Sequence, residues 1–146
     1  MTKRKKTPRP TILADEHVFP PVIEAVESLG WFKVLRAARD HRFRGRNEWD
    51  YIGELRSLNI IFLTQDNEFV QHVVTDQVRH AGIVWLPGGW DVEELASAVA
   101  PACGLLRGYQ DDGVHGARDI VIRVEYDGIR TIVNGRERLV WSLDKM

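Results

Sequence analysis

The sequence predicts an α/β fold with three layers, in which helices cover both faces of a mainly parallel β-sheet. Short apolar runs, such as Ile60 to Leu63, are typical of strands buried on both faces of a sheet. These runs alternate with segments whose apolar residues recur at helical spacing, which is the order of βα units. Asp127-Gly128 and Asn134-Gly135 separate β-rich segments and are typical hairpin turns. We therefore expect a parallel α/β/α core followed by a C-terminal β-hairpin extension over residues 119–144.

Length and composition indicate one globular domain, which we expect over residues 11–146. The chain has 146 residues, of which 44% are hydrophobic and 28% are charged. No apolar run approaches the roughly 20 residues of a membrane span, and the N-terminus lacks the apolar stretch of a secretory signal. Cys103 is the only cysteine, which excludes an intramolecular disulfide and a cysteine-rich zinc site. We expect a cytoplasmic protein that does not associate with a membrane.

Residues 1–10 form a basic leader. They contain five lysine and arginine residues and no acid, so the rest of the chain carries a net charge of −6, compared with −1 for the whole chain. Such a leader is typical of a solvated disordered tail, which is our expectation here, and an arm that binds nucleic acid is the alternative.

The first half of the chain begins with a predicted strand at residues 11–14. Pro20-Pro21 suits a helix start, because the first helical positions need no N–H donor, and Gly30 suits a left-handed helix end. A second strand is expected at residues 33–38. Asn47 is a favourable N-cap and predicts a second helix directly after it.

The second half of the chain continues the alternation of strands and helices until the β-rich tail begins. Asp91, with Glu94 three residues later, predicts the start of a helix, and Pro101 is expected to break or kink that helix. The other predicted elements are strands at 60–63 and 83–86, a short helix at 68–74, and β-rich segments at 120–125, 129–133 and 139–141.

Right-handed crossovers and a central first strand favour the strand order 2-1-3-4-5, with the topological switch point between strands one and three. In this order the carboxyl ends of both strands lie side by side, at the sheet edge where open α/β proteins bind ligands. Asp15 and Glu16 follow strand one, and Asp66 and Glu68 follow strand three. We therefore expect these acids to converge, joined by Glu48 from the start of the second helix.

Converging carboxylates repel one another unless protons or cations neutralise them. Carboxylate oxygens suit Mg²⁺ or Mn²⁺, and such an ion can orient a phosphodiester and activate water. The other interpretation is structural, because acids and amides that follow strands often cap helices, as Asp15 or Asn67 would. Convergence on one edge favours the metal site over caps that act separately.

An arginine-rich loop precedes Glu48. Arginines beside an acidic metal site suit a polyanionic substrate such as RNA, because they hold phosphates while the metal acts on the phosphodiester. An equally good interpretation is a solvated loop whose arginines pair with nearby acids. Phe43 and Trp49 are expected to close the core, with base stacking as the alternative. The candidate substrate-binding residues are Arg39, Arg42, Arg44 and Arg46.

With these residues in view, the chain resembles the PIN-like nuclease superfamily, and in particular its branch of short VapC-like toxins. The matching segments span residues 11–133, which is the length of one domain. The shared pattern is an acid after strand one, an acid that opens a mid-chain helix, and T-x-D-x-[DE]-F after strand three. The matching segments are LADEH at 13–17, RGRNEWD at 44–50, TQDNEF at 64–69 and HAGIVWL at 80–86.

The resemblance implies a Mg²⁺- or Mn²⁺-dependent endoribonuclease, often the toxin of a toxin–antitoxin pair, with RNA as substrate and an antitoxin protein as partner. This chain departs from the branch at His17, which replaces an asparagine, and at Glu68, which replaces an aspartate. The implied catalytic residues are Asp15, Glu48, Asp66 and Glu68, and the implied metal ligands are Asp15, Glu16, Asp66 and Glu68.

The alternative function is a catalytically degenerate module on the same fold that binds nucleic acid or regulates another protein. A phospho-accepting receiver is excluded, because receivers need a lysine after strand five and a hydroxyl residue after strand four, where this chain has Pro87-Gly88. The β-rich tail and the tryptophans suit a homodimer interface, and core packing explains them equally well.

Overall fold

The computed structural model describes residues 9–111, 116–125, 128–133 and 135–142. Residues 1–8 of the predicted basic leader lie outside the described residues, as do Asp127 and Asn134 of the predicted turns and residues 143 and 144 of the extension. Within the described ranges, no helix has the length and apolar character needed to cross a membrane.

Seven strands form one sheet: β1 Thr11–Ala14, β2 Lys33–Arg36, β3 Ile60–Thr64, β4 Ile83–Trp85, β5 Ile120–Glu125, β6 Gly128–Val133 and β7 Arg136–Ser142. Their spatial order is β2-β1-β3-β4-β5-β6-β7. The pairs from β2 to β5 are parallel, and β6 and β7 are added antiparallel. The prediction of an α/β fold with a mainly parallel sheet is confirmed. The predicted five-strand order is incomplete, because β6 and β7 continue the same sheet.

The helices in the described part of the chain are α1 Pro20–Leu29, α2 Glu48–Ser57, α3 Asn67–Thr75 and α4 Val92–Asp111. Their predicted start and stop signals act as expected. Gly30 ends α1 in the left-handed conformation with φ 70°. The Asn47 side chain accepts a hydrogen bond from the Trp49 backbone N–H at 2.9 Å, which caps α2. Asp91 Oδ1 accepts from the Glu94 N–H at 2.9 Å at the start of α4.

Some predicted boundaries differ from those of the structure: α4 has no break at Pro101, and β2, β4 and β7 begin or end at other residues than predicted. α4 continues through Pro101 to Asp111, because the residues after the proline pack into the core, with Cys103 and Leu106 fully buried. This burial offsets the one backbone hydrogen bond that a proline removes. β2 ends at Arg36 rather than Ala38, because the chain turns there and the Arg39 N–H donates to the Arg36 carbonyl at 3.0 Å.

Hydrophobic clusters cover both faces of the sheet. All five residues of β3 are buried, as predicted for a strand covered on both sides. Ile61 and Leu63 belong to the cluster that includes α1 and α4 residues, whereas Ile60 and Phe62 belong to the cluster that includes α2 and α3 residues. Phe43 packs in this second cluster, as expected. Strand β3 is therefore packed on both faces up to its carboxyl end.

The register of β1 and β3 decides which side chains meet at that end. Ala14 pairs with Leu63, and the Asp15 N–H donates to the Leu63 carbonyl at 2.9 Å. The residues that follow the two strands therefore emerge side by side at one edge of the sheet, as the strand order predicts.

Candidate active site

Asp15 and Asp66 are linked through Thr64 at the carboxyl edge of the sheet. The Thr64 hydroxyl donates to Asp15 Oδ2 at 3.2 Å and accepts a hydrogen bond from the Asp66 N–H at 3.0 Å. Asp15 is 2% exposed and Thr64 is fully buried. The predicted meeting of the acids that follow β1 and β3 is confirmed for this pair.

Asp66 also caps α3. Its Oδ1 accepts a hydrogen bond from the Phe69 N–H at 3.0 Å, which satisfies one of the unpaired donors of the first helical turn. The structural alternative predicted that Asp15 or Asn67 caps a helix, and this assignment is wrong for both residues. The N-cap position of α1 is Phe19, and Asn67 Oδ1 instead accepts from the Trp85 indole N–H at 2.7 Å.

Glu48, the first residue of α2, joins the two aspartates. Burial raises the pKa of its carboxyl group, and the charges of Asp15 and Asp66 raise it further, as does the close Asp66 side chain. The three carboxyl groups therefore act on one another.

Burial also raises the pKa of Asp15, and the neighbouring charge of Asp66 adds to this effect, whereas the hydrogen bond from Thr64 opposes it. Tyr51, which is 1% exposed on α2, has a raised pKa because of burial and then the charges of Asp15 and Glu48. Three carboxyl groups thus act on one another and on a buried phenol. This coupling is typical of sites with a chemical function, although structural networks can produce it as well.

The described side-chain interactions do not link the carboxyl group of Glu16 or Glu68 directly to this trio. Glu16 is exposed, its Oε1 lies 3.4 Å from His17 Nε2, and its charge also acts on Tyr51. Glu68 is exposed in the first turn of α3. The expected convergence is supported for three of the five acids and stays a prediction for Glu16 and Glu68.

The donor set fits a hard divalent cation, since Asp15, Glu48 and Asp66 offer oxygen atoms only. Within the described ranges, however, no three histidine, cysteine or acidic side chains are already placed so that they could hold a metal ion. The carboxyl groups are coupled by their charges instead. A cation at this edge would bind their ionised forms and compete with protons for them.

In the described part of the chain, two of the four candidate arginines of the loop form ion pairs and two do not. Arg42 Nη2 lies 3.1 Å from Asp40 Oδ2, and Arg46 Nη2 lies 2.7 Å from Glu54 Oε1, so the interpretation of a solvated loop with ion pairs describes these two. Arg39 and Arg44 are exposed and have no ion pair within the described part of the chain. Phosphate binding by the loop stays a prediction.

Trp49 departs from the expectation that it closes the core. Its side chain is 43% exposed beside Glu48, and its ring meets the Phe69 ring edge-to-face with centroids 4.6 Å apart. Helix α2 places it at the rim of the acidic site rather than beneath it. An exposed aromatic ring at this position keeps base stacking as an open alternative.

Thr64 and Gln65 are functional candidates that the sequence interpretation did not select. The Gln65 side chain accepts from the Phe19 N–H at 2.9 Å and donates to the Pro87 carbonyl at 3.2 Å. The signal in the sequence that could have indicated them is the polar pair Thr64-Gln65 between the apolar strand and Asp66. Its partners lie 22 and 46 residues away in the chain, so only the strand order reveals them.

Comparisons of the chain with protein-family models, with curated proteins and with solved structures return no match. The candidate site therefore depends on its own geometry and chemistry.

Asp15→Asn is expected to raise the melting temperature of the metal-free protein at pH 7. A carboxyl group whose pKa is raised by folding contributes stability at low pH and loses it as the pH rises through the folded-state pKa, so the ionised Asp15 opposes folding at neutral pH. Asparagine removes the charge and keeps an oxygen that accepts from Thr64. Calorimetry in EDTA measures the change, with Asp76→Asn at the exposed end of α3 as control. A lower melting temperature for Asp15→Asn would contradict this account of the site.

Proposed function

We propose that the protein is a Mg²⁺- or Mn²⁺-dependent endoribonuclease that hydrolyses RNA phosphodiesters. The observation that supports this proposal is the coupling of Asp15, Glu48 and Asp66 at the carboxyl edge of the sheet. Raised pKa values on two neighbouring carboxyl groups oppose folding at neutral pH. Acids that are buried together in this way are more readily understood as a ligand set than as structural groups.

Asp15 and Asp66 would hold the cation, with Glu48 as the third donor. When bound, the cation supplies Lewis acidity at the phosphodiester. Asp66 is fixed by its cap to α3, and Thr64 orients Asp15 through its hydroxyl. Glu48 is the acid best suited to move a proton, because burial and its neighbours raise its pKa. It can accept a proton from the attacking water or return one to the leaving oxygen. Glu16 and Glu68 stay proposed metal ligands, and no described side-chain contact joins either of them to Asp15, Glu48 or Asp66.

The substrate class follows from the charge around the site. Arg39 and Arg44 are exposed without acidic partners in the described part of the chain, so they are available to phosphates. Arg42 and Arg46 would first have to give up Asp40 and Glu54. We therefore assign the first phosphate contacts of an RNA strand to Arg39 and Arg44.

The direct experiment is to incubate the full chain with single-stranded RNA in Mg²⁺, in Mn²⁺ and in EDTA. Cleavage in either metal and none in EDTA is the expected result. Intact RNA under all three conditions, with a protein that is shown to be folded by circular dichroism, would refute the nuclease.

We further propose that the nuclease is the toxin of a toxin–antitoxin pair, on the basis of the resemblance to VapC-like toxins. Its expression should then arrest growth, and Asp66→Asn should relieve the arrest. An antitoxin protein and a homodimer stay proposals of the same kind, tested by co-purification and by light scattering.

The second candidate is a catalytically degenerate module that binds nucleic acid or regulates another protein. The observation that favours it is the absence, within the described ranges, of three acids already placed for a metal ion. RNA binding without cleavage in either metal, and with no effect of Mn²⁺ on the melting temperature, would select this candidate over the nuclease.

A further inference from the structure

A groove lies at the same edge of the sheet as the acidic site, between the loop after β1 and the loop after β4. Its volume is about 370 Å³. This size is at the lower end of the range for small-molecule sites, so the groove suits one flat ring with its attached atoms rather than a large ligand. The lining includes His17, Phe19, Gln65, Gly88, Gly89 and Trp90.

Gln65 forms hydrogen bonds to both loops of the groove and lies next to the acidic site. Its Oε1 accepts from the Phe19 N–H at 2.9 Å, and its Nε2 donates to the Pro87 carbonyl at 3.2 Å. One side chain thus hydrogen-bonds to both loops that form the walls. Gln65 stands directly before Asp66, so the groove adjoins the acidic site.

The walls of the groove are aromatic and open. Phe19 is 46% exposed, so the face of its ring is accessible to a ligand. Trp90 lies half-buried against the core. Gly88 and Gly89 add no side chain to the lining, and the φ of +82° at Gly89 favours a glycine in this turn.

We infer that this groove seats an unpaired nucleobase of the RNA strand whose phosphodiester lies at Asp15, Glu48 and Asp66. The inference deepens the proposed nuclease function and depends on it. Aromatic side chains bind bases by stacking, which tolerates any sequence because every base has a flat π-face. Bases in a duplex are stacked on one another and cannot enter such a groove. The substrate is therefore single-stranded RNA or an unpaired loop.

The test measures the affinity of fluorescein-labelled single-stranded RNA in the Asp15→Asn background, where the proposed function predicts no cleavage. Phe19→Ala should raise the Kd about tenfold or more, since a stacked base contributes roughly this much. Phe19→Trp should restore the affinity.

Leu58→Ala is the matched control. Leu58 is also exposed and apolar, at 52%, but it lies just before β3 begins, at the opposite edge of the sheet. It should leave the Kd unchanged. An RNA duplex should bind the parent protein and Phe19→Ala equally, because no base is available for the groove.

The possible outcomes test the base-binding groove and the nuclease activity independently of each other. Metal-dependent cleavage by the wild type together with an unchanged Kd for Phe19→Ala overturns the base site and leaves the nuclease standing. A Kd that depends on Phe19, in a protein whose wild type cleaves nothing in Mg²⁺ or Mn²⁺, supports the base site and overturns the nuclease. Equal loss of affinity for single-stranded and duplex RNA in Phe19→Ala overturns the base site, because it indicates a general effect on the fold or the charge.

Discussion

Replacing Asp66 with asparagine is expected to reduce the rate of metal-dependent RNA cleavage roughly a hundredfold or more, which is the usual cost of removing one group that stabilises charge at a reacting centre. Asparagine is as good an N-cap as aspartate, so it can still accept from the Phe69 N–H and preserve α3. The substitution therefore removes a negative charge and a cation donor from the site with little change in the fold. Single-turnover cleavage of a labelled RNA in Mn²⁺ measures the effect.

Asp76→Asn supplies the matched control, because Asp76 is an exposed aspartate at the other end of α3. It should cleave at the wild-type rate. Glu48→Gln should lose activity to a similar degree as Asp66→Asn, because glutamine cannot accept or release a proton as the carboxyl group of Glu48 can. Cleavage by Asp66→Asn at the wild-type rate would show that Asp66 is not part of the site that hydrolyses RNA.

The second large effect concerns His80, which is expected to destabilise the protein as the pH falls from about 6.5 toward 4. His80 is 3% exposed, and its Nδ1 accepts a hydrogen bond from the Gly82 N–H at 3.0 Å. Burial lowers the pKa of His80 to about 4, and Arg56 adds to this effect while Asp119 opposes it. Below pH 6.5 the unfolded chain binds a proton that the folded chain does not, so stability is lost as the pH falls. A difference of about 2.5 in pKa corresponds to roughly 3 kcal/mol.

The measurement is the free energy of unfolding by urea between pH 7 and pH 4, compared between the wild type and His80→Asn. Asparagine places an oxygen near the position of Nδ1 and keeps the acceptor for Gly82. The difference between the two proteins isolates His80 from Asp15 and Glu48, whose raised pKa values act in the opposite direction. His41→Asn, at an exposed position, should retain the wild-type profile. Parallel profiles for the wild type and His80→Asn would rule out this role for His80.

The sheet and its acidic edge could be predicted because they follow from local patterns. The apolar runs of β1 and β3 end in acids, and parallel strands that are neighbours bring their ends together. Asn47 and Asp91 mark helix starts through their side-chain oxygens, and Gly30 marks a helix end through its left-handed backbone, so the sequence predicts all three roles. The continuation of the sheet into β6 and β7 was missed, because hairpin signals do not show which sheet a hairpin joins.

Other features depend on contacts between distant parts of the chain. Pro101 lies inside a helix because the packing of Cys103 and Leu106 outweighs a local rule. Thr64 links Asp66 to Asp15, an acid 49 residues before Thr64 in the chain, through a pair of hydrogen bonds. The bridge that Gln65 makes between Phe19 and Pro87 joins three loops, and no local pattern encodes it.

The most direct test of the carboxylate site is a thermal-unfolding titration with Mn²⁺. The wild type should gain stability with increasing Mn²⁺, by about 2.7 kcal/mol at a concentration of 100 times the Kd. The gain at a fixed Mn²⁺ concentration should shrink as the pH is lowered, because the cation binds ionised carboxylates and the pKa values of Asp15 and Glu48 are raised. Asp66→Asn should abolish the gain, and Asp76→Asn should retain it. An equal gain in the wild type and Asp66→Asn, or none in the wild type, would contradict a metal site formed by Asp15, Glu48 and Asp66.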